Sequence, residues 1–158
     1  MKNKLILILL MFTSIFFLVS CDNEGKKNYQ NSSLDIEGNI VINTKDVTET
    51  PTFINYDADG TTVQLIAVKA SDETIRLAFN TCQSCNPSPK AYFIQEDEYL
   101  VCQACGTKFK MDEVGITHGG CNPAPVVEKK ESDDKIIISK DYVLSYKDKF
   151  ENWEGITK

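Results

Sequence analysis

From Ile36 onward the chain alternates short apolar runs with polar turns, and few apolar residues recur at helical spacing. NIVIN (39–43) is a brief β-branched run, and PTFINY (51–56), DADG (57–60) and TTVQLIAVKA (61–70) read as strand, turn and strand. Asp-Gly supplies the tight turn such a hairpin needs. SDET (71–74) is a second turn, followed by IRLAFNT (75–81) as a strand. AYFIQ, EDE and YLVC (91–102) form another hairpin-like unit. The charged segment VEKKESDD (127–134) reads as a loop, and DDKIIISKDYVLSY (133–146) offers a late strand or two. Single helical turns are expected only near KMDEVG (110–115) or KDKFENW (147–153). The pattern predicts a mostly β fold, a small domain of short antiparallel strands and hairpins.

The chain begins differently. MKNK is followed by sixteen largely apolar residues that end in Leu18-Val19-Ser20, and then by Cys21. A positive start, an apolar stretch and small residues before a cut describe an export signal. LVSC resembles a lipobox, the bacterial lipoprotein signal, which implies cleavage before Cys21 and lipidation of that residue. A plain signal peptide or an uncleaved anchor is the simpler alternative. DNEGKKNYQNSSLD (22–35) is polar and has few large apolar residues, so it reads as a tether. The expected organisation is a lipoprotein signal over 1–20, a lipidated flexible tether over 21–35 and one cysteine-rich domain over 36–158. All 158 residues carry 17 basic and 23 acidic side chains. Cleavage would remove Lys2 and Lys4 and make the remainder more acidic. That surface argues against nucleic acid as a partner. The membrane would be met through the lipid, with the domain held outside the cytoplasm.

Five of the six cysteines lie beyond the tether. Cys82 and Cys85 form one Cys-x-x-Cys pair, Cys102 and Cys105 a second with sixteen residues between, and Cys121 follows in GGCNP. Each pair follows a predicted strand. Two thiolates leaving one tight turn can point at a common ion, and Gly106 accepts the positive φ needed after Cys105. The spacing predicts a zinc-ribbon-like double cysteine knuckle, and four thiolates suit zinc and iron–sulfur chemistry alike. Disulfides are the alternative outside the cytoplasm, although five thiols leave one unpaired. A redox dithiol would call for a single pair at a helix N-terminus. Cys121 can replace a ligand, act as a labile ligand, bridge, or be a small loop residue. His118 is read as an exposed loop side chain. No phosphate loop or paired acid and base stands out, and an enzyme with its own substrate is not expected.

AVKASDETIRLAFNTCQSC (67–85), YLVCQACGTKF (99–109) and VGITHGGCNPAP (114–125), in that order, resemble the FtrD-like membrane iron–sulfur domain family. FINYDADGTTVQLIAVKA (53–70) and IIISKDYVL (136–144) extend the likeness over most of residues 36–158. The resemblance implies that Cys82, Cys85, Cys102, Cys105 and Cys121 are the cluster or metal ligands. It implies an iron–sulfur cluster or iron as cofactor, and a membrane iron-transport or redox partner. The chain departs from the family pattern at Asn80, Asn86 and His118, all near the site. The expected role is iron handling, iron uptake or electron transfer by a membrane-anchored lipoprotein. The alternative is a structural four-cysteine zinc module whose function lies on its β surface. The start Lys-Asn-Lys holds no twin arginine, and a chain exported unfolded captures its metal afterwards, which suits zinc or a single iron.

Overall fold

A computed structural model describes residues 28–158; the stretch expected to be a signal, Cys21 and the rest of the chain before Asn28 lie outside the described residues. Twelve strands and one short helix follow one another as β1 (Asn28–Asn31), β2 (Ser33–Leu34), β3 (Ile40–Asn43), β4 (Thr52–Ala58), β5 (Thr61–Lys69), β6 (Ile75–Cys82), β7 (Phe93–Glu96), β8 (Tyr99–Cys102), β9 (Lys108–Lys110), β10 (Pro123–Pro125), β11 (Lys130–Glu131), β12 (Lys135–Ile138) and α1 (Lys140–Leu144). The main sheet has the order β1-β4-β5-β6-β10, a second has β11-β12-β3-β2, and β7-β8-β9 form a meander. No helix among the described residues is long and apolar enough to cross a membrane.

The β4–β5 hairpin forms where the sequence predicts it. Asp59 and Gly60, both at positive φ (52° and 85°), make the two-residue turn. Its register opposes Phe53 to Ile66 and Ile54 to Leu65. Side chains alternate across a strand, so these two pairs face opposite sides of the sheet. Ile54, Leu65 and Phe79 join one buried cluster with Ile40, Ile138, Tyr142 and Phe150. Phe53, Ile66 and Ala78 join the other, with Phe93, Leu100, Cys82 and Cys102. Burial on both faces explains why residues 61–70 read as a nearly unbroken apolar run. Phe53, Phe79 and Phe93 are each almost fully buried, and each such ring contributes about 2–3 kcal/mol.

Three segments differ from the sequence reading. Strand pairing is already present at Asn28, the first described residue, inside the segment expected to be a tether up to residue 35. β1 runs parallel to β4, and Tyr29 stacks on Phe53 at 4.9 Å between ring centroids. Backbone pairing with an open sheet edge needs no apolar run, so NYQN carries no periodic signal. The charged segment 127–134 is partly paired, because β11 forms a hairpin with β12. KDYVL is helical: the Ser139 hydroxyl accepts a hydrogen bond from the Tyr142 N–H at 3.2 Å and caps α1. Tyr142 and Val143 then fill the first cluster from a helix instead of a strand.

Val114 and Gly115 hold the loop before Cys121 against β6. Val114 is fully buried, and Gly115 sits at φ +71° with its Cα against the Leu77 backbone. A Cβ at Gly115 would run into the Leu77 carbonyl oxygen and adopt a left-handed conformation. Gly115→Ala is therefore expected to cost about 3 kcal/mol, read as a lower urea midpoint at unchanged slope. Gly60→Ala, with open space around its Cβ, should cost less.

Candidate metal centre

Both knuckles are built the same way. β6 ends at Cys82, and the chain folds back so that the Asn86 N–H donates to the Cys82 carbonyl at 3.0 Å. β8 ends at Cys102, and the Gly106 N–H donates to the Cys102 carbonyl at 2.8 Å. Gly106 has φ +74°, the conformation predicted for it. The Cys102 N–H donates to the Thr107 carbonyl at 3.0 Å, which leads the chain into β9. Phe93 faces Cys102 across the β7–β8 pair, and the Cys82 N–H donates to the Ala91 carbonyl at 2.9 Å. These contacts bring the first knuckle beside the second.

Cys121 arrives from the other side. Pro123 is the register partner of Cys82, so β10 delivers the GGCN loop to the end of β6. The two residues inside the first pair clasp this loop. Gln83 N–H donates to Asn122 O and Ser84 N–H to Gly120 O, each at 3.1 Å. The Gln83 side chain accepts from the Gly119 N–H at 3.0 Å. The sequence reading did not single out Gln83 or Ser84, and nothing in their residue types marks them.

All five cysteines converge, and none is joined in a disulfide. Cys82, Cys85 and Cys102 place their sulfurs within 4.8 Å of one another, and so do Cys85, Cys105 and Cys121. Cys102 Sγ lies 3.9 Å from Cys85 Sγ, and Cys105 Sγ lies 3.4 Å from Cys121 Sγ. Depth is graded: Cys82 and Cys102 are buried, Cys85 and Cys121 are half-buried, and Cys105 is exposed. His118 is exposed and belongs to neither cysteine group among the described residues.

The thiols are electrostatically unequal. Burial pushes Cys85 far above the usual thiol range and lifts Cys102 to about 11. Hydrogen bonding to Thr107, whose hydroxyl is 3.2 Å from the sulfur, holds Cys105 down at about 6. The hydrogen bond with Cys105 is the main influence raising Cys121. A cation reverses this pattern, because a coordinating thiol is deprotonated outright. Tetrahedral coordination at a metal–sulfur distance of about 2.3 Å sets sulfurs about 3.8 Å apart. The separations of 3.9 and 3.4 Å are of that size. The donor set is all sulfur and suits zinc or iron.

Asn80 and Asn86 tie the site to the rest of the fold. Asn80 is buried; its Oδ1 accepts from the Phe93 N–H at 2.7 Å, and its Nδ2 donates to the Phe93 carbonyl at 3.1 Å and to Gln64 Oε1 at 2.6 Å. One side-chain amide thus joins the main sheet to the cysteine-bearing meander. Asn86 Nδ2 donates to Thr81 Oγ1 at 3.1 Å and to the Lys149 carbonyl at 2.6 Å, so the first knuckle also holds the C-terminal segment.

Fold and site together define a mostly β protein whose cysteine cluster can bind a metal. A family model described as "Membrane iron-sulfur containing protein FtrD-like" matches residues 47–150, a span that includes all five converging cysteines. The chain belongs to this FtrD-like family. Comparison with curated proteins and with solved structures finds no match.

Proposed function

We propose that this protein is a lipoprotein, anchored through Cys21 and facing outside the cytoplasm, that handles iron or passes electrons at its cysteine centre. The observation that carries the reading is the convergence of five unbonded thiols, graded from buried to exposed, in a chain of an iron–sulfur family. Cys82, Cys85, Cys102, Cys105 and Cys121 would hold the group. When bound, iron or an iron–sulfur cluster supplies one-electron chemistry whose potential follows hydrogen bonds to sulfur and solvent exposure.

The chain's own residues divide the work. Cys82 and Cys102 anchor the site in the apolar cluster around Phe93 and Leu100 and keep water from that side. Cys105 stands at the surface, where a membrane iron-transport or redox partner can approach. The Thr107 hydroxyl lies within hydrogen-bond reach of the Cys105 sulfur and would tune the exposed end of the centre. A structural zinc centre is the second reading: the donor set is all sulfur, and the 3.9 Å separation of Cys85 and Cys102 is that of two ligands on one tetrahedral ion, zinc as well as iron.

The test is anaerobic purification of the full chain from the cells that export it, with metal analysis, acid-labile sulfide and a visible spectrum. Iron with thiolate charge-transfer bands supports the proposal. Colourless protein carrying zinc alone supports the second reading. The anchor is tested separately: Cys21→Ala should release the protein from the membrane fraction, and unchanged membrane association would contradict lipidation at Cys21.

A further inference from the structure

We infer that the five thiols hold two metal ions, with the Cys85 sulfur as a thiolate bridge between them. The inference rests on the reading of this cluster as a metal centre and goes beyond it in number and connectivity. In each of two trios the sulfurs lie within 4.8 Å of one another, and among the described residues Cys85 is the one common to both. Cys82, Cys85 and Cys102 form the inner trio, and Cys85, Cys105 and Cys121 the outer one. Each trio supplies three corners of a tetrahedron, and two tetrahedra that share a corner share a ligand. The four Cys-x-x-Cys thiols do not make one mutually close group of the kind a single four-thiolate ion would gather.

The local structure explains why Cys85 takes the shared place. It ends the first knuckle, at the boundary between the buried thiols of β6 and β8 and the exposed thiol of the second knuckle. Ser84, the residue before it, grips the Gly120 carbonyl and draws Cys121 alongside. A thiolate sulfur has lone pairs enough to bind two cations.

Charge also favours two ions. Five thiolates carry five negative charges, and two divalent cations bring four positive ones, leaving a single negative charge. One divalent ion would leave three negative charges, or protons on thiols that then ligate nothing. The balance is simple: two divalent ions enter, the protons held by the five thiols leave to water, and no electrons move.

Anaerobic titration of the metal-stripped full chain with Co2+ tests this, read by thiolate charge-transfer absorbance and electron paramagnetic resonance. Absorbance should saturate at two Co2+ per chain. The resonance should grow through the first equivalent and fall through the second, because a bridging sulfur couples the two spins antiferromagnetically. Cys121→Ser, which alters only the outer trio and lies in a surface loop, should saturate at one Co2+ with an undiminished signal. Saturation at one ion in the unaltered chain, two ions whose signals add, or two coupled ions in Cys121→Ser would each overturn the inference while leaving a metal centre in place. No binding at all would overturn the metal centre as well.

Discussion

Cys85→Ser is expected to weaken metal retention more than the same change at any other cysteine. Among the described residues Cys85 is the only thiol in both close groups, so its loss removes a ligand from each. Loss of an outer-shell partner of a metal typically costs about 10–100-fold in affinity, and loss of a direct ligand should exceed that, so about 10³-fold is expected. Competition with a chelator of known affinity measures it. Cys121→Ser, in the exposed loop that Ser84 and Gln83 hold, should lose less. Equal losses in the two variants would show that Cys85 has no special place.

Asn80→Ala is expected to cost about 3 kcal/mol of stability, because it strands buried polar groups and leaves them unpaired. The Phe93 N–H, the Phe93 carbonyl and Gln64 Oε1 would each lose a partner away from water. Gln64 is fully buried, and its Nε2 also holds Asn55 Oδ1 at 2.6 Å and the Ile156 carbonyl at 2.8 Å, so the damage spreads to the C-terminal segment. Urea denaturation gives the loss, and hydrogen exchange at Phe93 locates it. Asn86→Ala, at a partly exposed site, should cost about 1 kcal/mol. A smaller effect at Asn80 than at Asn86 would remove Asn80 from its linking role.

The hairpins and the identity of the clustered thiols were legible in the sequence for physical reasons. Asp59-Gly60 between apolar runs permits little but a tight turn, and Cys-x-x-Cys after a strand makes a knuckle at both places. Spacing names the cysteines but carries no distances, so the division into two trios sharing Cys85 was beyond its reach. β1 was hidden because a polar edge strand is held by backbone pairing and one stacked ring, Tyr29 on Phe53. α1 was hidden because five residues are too few to show helical periodicity, and Tyr142 and Val143 favour strands. Its one available signal was Ser139 ahead of Asp141, a capping residue followed by an acid in the first turn. Asn80 stood out as a departure from the family pattern, yet only the packing of β6 against β7 gives its amide a task.

The central claim is that the converging cysteines are the ligands of a metal. X-ray absorption at the edge of the metal carried by the anaerobically purified full chain tests it most directly. The account predicts a shell made only of sulfur, at about 2.3 Å. A shell of nitrogen or oxygen, or a chain that carries no metal, would contradict it.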